Sequence, residues 1–224
     1  ILNSSIGCFW LKQACYPKGG DIVGNEGARI RKTLWDNAYA FNSTSVCKCP
    51  LPSKMPGDIS KHLLQNGRNV VEALSAKEVI ESSIQGKPSG VRKLNGIIRR
   101  MITLQEEVDW ECYQHYGLLN DAPLCDDPPP IKLGQRAFEI VLARKMNAGE
   151  EETTWFSRHN STPLTEIPSE WPDTYKEVVK RRIKLIEVNR NISLIERPEY
   201  KRRWNMEPWQ QQQEKALWNW ILDR

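Results

Sequence analysis

The sequence lacks several features that would assign it to common classes of protein. None of its apolar runs approaches the roughly 18 residues that a membrane-spanning helix needs. Its three histidines stand far apart along the chain, which favours surface or core positions over catalytic or metal-binding ones. There is no glycine-rich strand-to-helix turn of the kind that binds nucleotide cofactors. We therefore expect a cytoplasmic protein with no membrane partner, and no cofactor in this chain.

The six cysteines lack the spacing of a metal site. Cys8 and Cys15 are seven residues apart on a predicted helix, which separates them by about 10.5 Å along its axis. Two ligands about 2.3 Å from one zinc ion cannot lie that far apart. Cys47 and Cys49 could share one side of a strand, but no second pair with metal spacing follows. Reduced cytosolic thiols are the prediction.

The amino-acid composition is that of an ordinary globular protein, but its charge is unevenly distributed along the chain. Of its 224 residues, 39% are hydrophobic and 27% are charged, and the formal net charge is +4. Between Pro172 and Arg203, however, ten Lys and Arg stand against five Asp and Glu. A local basic surface is therefore predicted on a chain that is nearly neutral as a whole.

The N-terminal part predicts one helix followed by short strands. Residues 3–5 (Asn-Ser-Ser) are good N-caps for a helix that ends before Pro17. From Asp21 to Pro52, glycines interrupt the pattern and aromatic residues alternate with small or polar ones, which indicates strands and loops. We interpret the cations here either as a contact loop for nucleic acid or as an ordinary solvated β-rich surface. They are Lys18, Arg29, Arg31 and Lys32.

Beyond a proline-rich boundary at residues 50–57, the pattern turns helical. A long helix is predicted from Ser89 to Tyr116, and its acidic second half, residues 106–111, is interpreted as a solvated face. A second boundary at 118–133 contains Asp127-Pro128-Pro129, close to the motif with which amino-methyltransferases hold a flipped DNA base. Proline occupies position 130, where that motif needs an aromatic ring, so the segment is interpreted as a stiff linker.

The C-terminal part predicts more helices. One covers Gly134 to Ala148, and another starts near Pro172 and carries a lysine every fourth residue on one face. Such a row is more typical of a solvated face, although nearby cations interleaved with aromatic residues favour phosphate contacts. Pro198 and Pro208 each suit the first position of a short helix. The C-terminal candidates for DNA contact are Lys176, Lys180, Lys184, Lys201, Arg202 and Arg203.

Both ends of the chain suggest an interior piece of a longer protein. It starts with Ile1 rather than Met, and its last predicted helix has no stop signal before Arg224. The tryptophans of the closing stretch are expected to anchor helices. They are Trp204, Trp209, Trp218 and Trp220.

Several runs of the sequence resemble one family. They include Trp155-Phe156 with Ser161-Thr162-Pro163, Trp171-Pro172, residues 134–144, residues 194–204, and Glu207-Pro208-Trp209 with residues 220–224. These runs resemble the C-terminal half of PglX, the large adenine-specific DNA methyltransferase of phage-growth-limitation and bacteriophage-exclusion defence systems. Residues 2–5 with 8–13, and residues 41–42 with 50–52, resemble the part of such enzymes beyond the catalytic domain that takes part in target recognition.

Fold and domain expectations follow from the pattern together with this resemblance. We expect a predominantly α-helical bundle with a small β-containing N-terminal part (α+β). Four segments are predicted: a target-recognition-like α/β region at 1–57, a helical segment with a long helix at 58–118, a Pro-rich linker at 119–133, and a C-terminal helical region at 134–224.

The resemblance also sets the functional expectation. Members of the family bind S-adenosylmethionine and act through Asn-Pro-Pro-Tyr in a preceding catalytic domain, and this chain contains neither motif. It is therefore expected to be inactive alone, as a non-catalytic DNA-recognition and scaffold region. The expected partners are duplex DNA, the missing methyltransferase domain and other defence-system proteins. The alternative is a helical protein-interaction module that docks to such proteins without touching DNA.

Overall fold

Helices make up most of the structure, a computed structural model that describes residues 1–17, 39–75, 78–79, 89–204 and 209–222. The predominantly helical prediction is confirmed. In chain order the helices are α1 (Ser5–Ala14), α2 (Ser43–Cys47), α3 (Gly57–Ala73), α4 (Ser89–His115), α5 (Ala137–Asn147), α6 (Trp155–Arg158), α7 (Asp173–Val188), α8 (Arg190–Ile195) and α9 (Trp209–Leu222).

Local sequence explains where these helices begin and end. The Ser4 hydroxyl accepts a hydrogen bond from the Gly7 amide and caps α1 as predicted. Asn189 caps α8 in the same way, through the amides of Asn191 and Ile192. Gly117 follows α4 with a φ of +72°, a left-handed conformation that favours glycine and lets the chain turn away.

The long helix α4 is the centre of the fold. Helices α3 and α1 pack against it, while α5 packs on α7 and α7 on α8. Their shared core is rich in aromatic rings, and its completely or almost completely buried members include Trp110, Tyr113, Phe138, Trp155 and Tyr175. Residues 102–110 of α4 are buried on every side, so this helix runs through the core rather than over its surface.

The predicted proline-rich linker packs against α4. The Thr103 hydroxyl donates to the Pro129 carbonyl at 2.8 Å and accepts from the Ile131 amide at 3.0 Å. Arg100 donates to the Pro128 carbonyl, and Ile131 is buried. These contacts hold the segment against the helix. The predicted division of the chain into four segments stays a prediction.

Several local predictions differ from the structure. Of the segment expected to form strands, residues 39–52 contain the short helix α2 and an isolated bridge between Pro17 and Tyr39, and residues 18–38 lie outside the described part. The helix expected to open at Pro198 is a turn followed by chain without regular secondary structure. Trp204 is buried as expected, but Trp218 and Trp220 in α9 are exposed, so they do not anchor that helix in the core.

The acidic second half of the long helix is the clearest correction. Glu106, Glu107 and Asp109 were expected to face solvent, but each is at most 2% exposed. Their carboxylates stay inside because buried cations from distant parts of the chain pair with them.

Candidate functional site: a basic helix face held by a buried ionic core

Lys201 lies at the centre of a buried cluster of charges. Its ammonium is 2.9 Å from a carboxylate oxygen of Asp109, 2.9 Å from one of Glu196 and 3.2 Å from one of Glu106. The Tyr113 hydroxyl donates to the same Glu196 oxygen at 2.5 Å. The Lys201 side chain has no exposed surface, so its ammonium is turned to these carboxylates rather than to solvent; the DNA contact predicted at this residue stays a prediction.

The same cluster attaches the N-terminal helix to α4. Asp109 accepts hydrogen bonds from the Ser5 amide at 2.8 Å and from the Ser5 hydroxyl at 2.6 Å. Gln105 donates both to Asp109 and to the Asn3 carbonyl. One carboxylate of α4 therefore holds both the start of α1 and the segment after α8.

Burial and charge shift the pKa values within this cluster. Burial raises the pKa of Glu106 to about 7, although the Lys201 ammonium opposes the shift. Burial disfavours the charged ammonium of Lys201, but the carboxylates around it dominate and raise its pKa. Burial and the neighbouring Glu196 raise the pKa of Tyr113 well above its usual value. Three acids surround one ammonium here, and the raised pKa of Glu106 favours the protonated form of that acid.

A second buried ion pair fixes α7. The Arg182 guanidinium lies 2.7 Å from a Glu107 oxygen, and both side chains are only 1% exposed. Arg182 also donates twice to the Pro123 carbonyl, at 2.8 and 3.0 Å. The same Glu107 oxygen accepts from the Cys125 amide. A single pair thus joins α7, α4 and the segment between α4 and α5.

A third pair closes the start of α5. Arg136 lies 2.7 Å from a Glu139 oxygen, and Glu139 also accepts from the indole of Trp155 at 3.0 Å. The other guanidinium nitrogen of Arg136 donates to the Arg202 carbonyl at 3.0 Å. Burial opposes ionisation, but Arg136 outweighs it and lowers the pKa of Glu139. This pair fixes the backbone directly after Lys201.

We use the name ionic core for these three groups together. Its charged members are Glu106, Glu107, Asp109, Arg136, Glu139, Arg182, Glu196 and Lys201.

The lysine row on α7 is largely accessible, as its fourfold spacing predicted. Lys180 and Lys184 are exposed, and Lys180 pairs with Glu177 at 2.6 Å. Lys176 is partly covered and pairs with Asp173 at 3.1 Å. Arg181 is exposed as well, so cations flank the buried Arg182 on both sides.

The remaining candidates for DNA contact lie in two parts of the chain, one directly after Lys201 and one near the N-terminus. Arg202 and Arg203 follow Lys201 and are exposed. The Arg202 guanidinium lies 4.6 Å from the ring centre of Trp204, and partial burial lowers its pKa. The four N-terminal candidates fall outside the described residues, so nothing tests them. They are Lys18, Arg29, Arg31 and Lys32.

The described part of the chain contains neither a cluster of metal ligands nor a helix suited to a membrane. No group of three or more His, Cys, Asp or Glu side chains there is arranged to hold a metal ion. None of its helices combines the length and apolarity needed to cross a membrane.

Fold and site together define a helical domain whose charged interior positions an exposed basic helix. The chain belongs to the family described as Domain of unknown function (DUF7008), which matches residues 101–224. It is also 48% identical over 232 aligned residues to the adenine-specific methyltransferase PglX of Streptomyces coelicolor. This confirms the resemblance to PglX. The alignment covers 100% of the chain and 19% of that relative, and no solved structure matches the chain.

Proposed function

We propose that this chain is a non-catalytic DNA-contacting and scaffolding region of an adenine-specific DNA methyltransferase. The observation that carries the proposal is the arrangement of α7, where exposed Lys180, Arg181 and Lys184 surround Arg182, which is held inside by Glu107. The buried pair fixes the helix on α4. The exposed cations can then meet a duplex from a rigid support.

The existing ion pairs on α7 do not prevent such contacts. Lys180 and Glu177 are both more than half exposed, and pairs of this kind contribute only about 0.2 to 1 kcal/mol in water. A phosphate can therefore replace Glu177 at small cost. Because contacts of this kind neutralise phosphates without reading bases, we expect them to set affinity and orientation rather than sequence preference.

The proposal assigns the remaining functions to sequence outside this chain. S-adenosylmethionine binding and methyl transfer would belong to a methyltransferase domain, and this region would support that domain in the cytoplasm. Two facts support this division: the chain contains neither family motif, and it corresponds to only 19% of PglX.

Titration of duplex DNA against this chain tests the proposal. We expect weak binding at low salt that falls steeply as salt rises, with a slope of roughly 0.9 per phosphate contacted in a plot of log affinity against log salt. The double variant Lys180→Glu with Lys184→Glu should lower the affinity about tenfold or more and reduce the slope. Fluorescence anisotropy across a salt series measures both quantities.

A matched control separates a local effect from net charge. Lys54→Glu with Lys61→Glu makes the same change of charge at two exposed residues elsewhere and should lower the affinity much less. The proposal fails if the unaltered chain binds no duplex at low salt, or if both double variants lose affinity equally.

A protein-interaction role is the second candidate, because exposed apolar residues gather in one groove of the structure. If the chain acted only through that groove, reversing the charge of Lys180 and Lys184 would leave its function unchanged.

A further inference from the structure

An open apolar groove lies between the N-terminal residues, α3 and α4. Its volume is about 980 Å³, and residues 1–4 line one side of it. Five large apolar side chains that line it are between 46% and 73% exposed: Leu2, Leu51, Met55, Leu64 and Val71. Scattered exposed apolar residues are ordinary, but a contiguous group in one groove is typical of a binding surface.

Helix α3 contributes the length of this groove. Leu64, Arg68 and Val71 follow at spacings of four and three residues, so they lie along one face of the helix. Another part of α3 already packs on α4. The helix thus exposes two apolar side chains, Leu64 and Val71, on either side of Arg68, and none of the described residues covers them.

The surface next to the groove shows what kind of element fits there. Met101 and Arg202 line both this groove and an adjoining one of about 590 Å³, whose other walls are α3, α4 and α9. Residues Gln212 and Ala216 of α9 line that second groove. The walls of both grooves are therefore largely helical, and because helices pack with the ridges of one in the grooves of another, we expect a helix in the open groove as well.

The charged residues of the groove indicate the polarity of its occupant. Arg68 and Arg202 line it together with one acidic residue, Glu72. Two guanidinium groups against one carboxylate favour an occupant that brings an acidic side chain. The occupant is then an amphipathic helix with apolar residues three and four apart and at least one Asp or Glu.

The share of the relative covered by this chain indicates where such a helix comes from. The chain corresponds to 19% of PglX, so about four fifths of that protein lies elsewhere. We propose that the groove docks an amphipathic, acidic helix from the part of the PglX-type polypeptide outside this chain. This inference rests on the scaffolding half of the proposed function and is independent of DNA contact.

Photo-crosslinking in the full PglX-type protein tests the docking. The photo-reactive residue p-benzoylphenylalanine replaces Leu64 in one sample and Val188, which is somewhat more accessible but lies outside the groove, in the control. Mixing isotopically light and heavy protein separates crosslinks within one polypeptide from those between copies. We expect position 64 to crosslink to a helix elsewhere in the same polypeptide, and position 188 to give several-fold less of that product.

Three results would overturn the inference. They are crosslinks between light and heavy copies, crosslinks confined to this chain, and no crosslink at position 64. As a check on the charge argument, Arg68→Glu should lower the yield at position 64 several-fold, and Arg68→Lys should largely restore it. The samples contain no DNA, so failure here differs from failure of the duplex titration.

Discussion

Two regions of this chain differ in what they bury: one buries charged side chains, and the other leaves apolar side chains exposed. Residues 101–204 bury eight charged side chains in the ionic core, whereas residues 1–75 leave five large apolar side chains exposed in a groove. A buried charge is tolerated only when its partner is present, and here each cation finds carboxylates within the chain. The groove has no such cover among the described residues. The first region pairs its buried cations with its own carboxylates, and the second leaves apolar surface exposed, which the proposed docking would cover.

Removing the central cation should have the largest effect on the first region. Lys201→Met takes away the ammonium that neutralises Asp109, Glu196 and Glu106, and breaking a buried pair in this way costs about 3 to 5 kcal/mol. Urea unfolding monitored by circular dichroism measures this loss in the free energy of unfolding.

The control for that measurement is Lys184→Met on the exposed face of α7. Because this side chain points into solvent, the free energy of unfolding should change by less than about 0.5 kcal/mol. Equal losses in the two variants would mean that the ionic core does not stabilise the fold.

Carboxylates outnumber cations in the ionic core, which predicts that the stability of the fold depends on pH. The pKa of Glu106 is raised to about 7 in the folded protein, from an ordinary value of 4.5. The folded state therefore holds a proton that the unfolded state releases, so this stability is fully present below about pH 4.5 and is lost as pH rises through 7. The size of the effect is on the order of 3 kcal/mol.

Glu106→Gln isolates this contribution, since glutamine resembles the protonated acid. At pH 8 the variant should be more stable than the unaltered chain, and the difference should vanish near pH 4.5. Burial lowers the pKa of His159, so its contribution to stability rises with pH below 6.5, opposite to that of Glu106. Both proteins contain His159, so this contribution cancels from the difference between them. A difference independent of pH would show that Glu106 stays ionised in the folded state.

The helices could be predicted from the sequence more accurately than the ionic core. Spacing and capping residues predicted α1 and α4 closely, because those signals are local. The pairing of Glu107 with Arg182 spans 75 residues, and no local pattern reports such a contact. One signal was available: the five apolar residues between Ile102 and Cys112 spread around most of α4 instead of forming one stripe, which favours a helix with neighbours on several sides.

The exposed lysines of the candidate site could be predicted from the sequence, because helical spacing is a local signal. Fourfold spacing identified Lys180 and Lys184 as one face of a helix, and both are exposed. Lys201 looked equivalent to its neighbours Arg202 and Arg203 in the sequence. Only the folded chain distinguishes it, since the start of α1, α4 and the end of α8 meet around that one residue.

The smallest predicted effect concerns the groove, and it compares an exposed side chain there with one buried in the core. Leu64 of α3 is 59% exposed, so Leu64→Ala should change the free energy of unfolding of this chain by no more than about 0.5 kcal/mol. Ile102 of α4 is 2% exposed, and Ile102→Ala should cost about 2 to 5 kcal/mol because it leaves a cavity in the core. Urea unfolding of both variants measures the difference. A loss at Leu64 close to that at Ile102 would mean that the groove is covered by the chain itself and has no place for a partner.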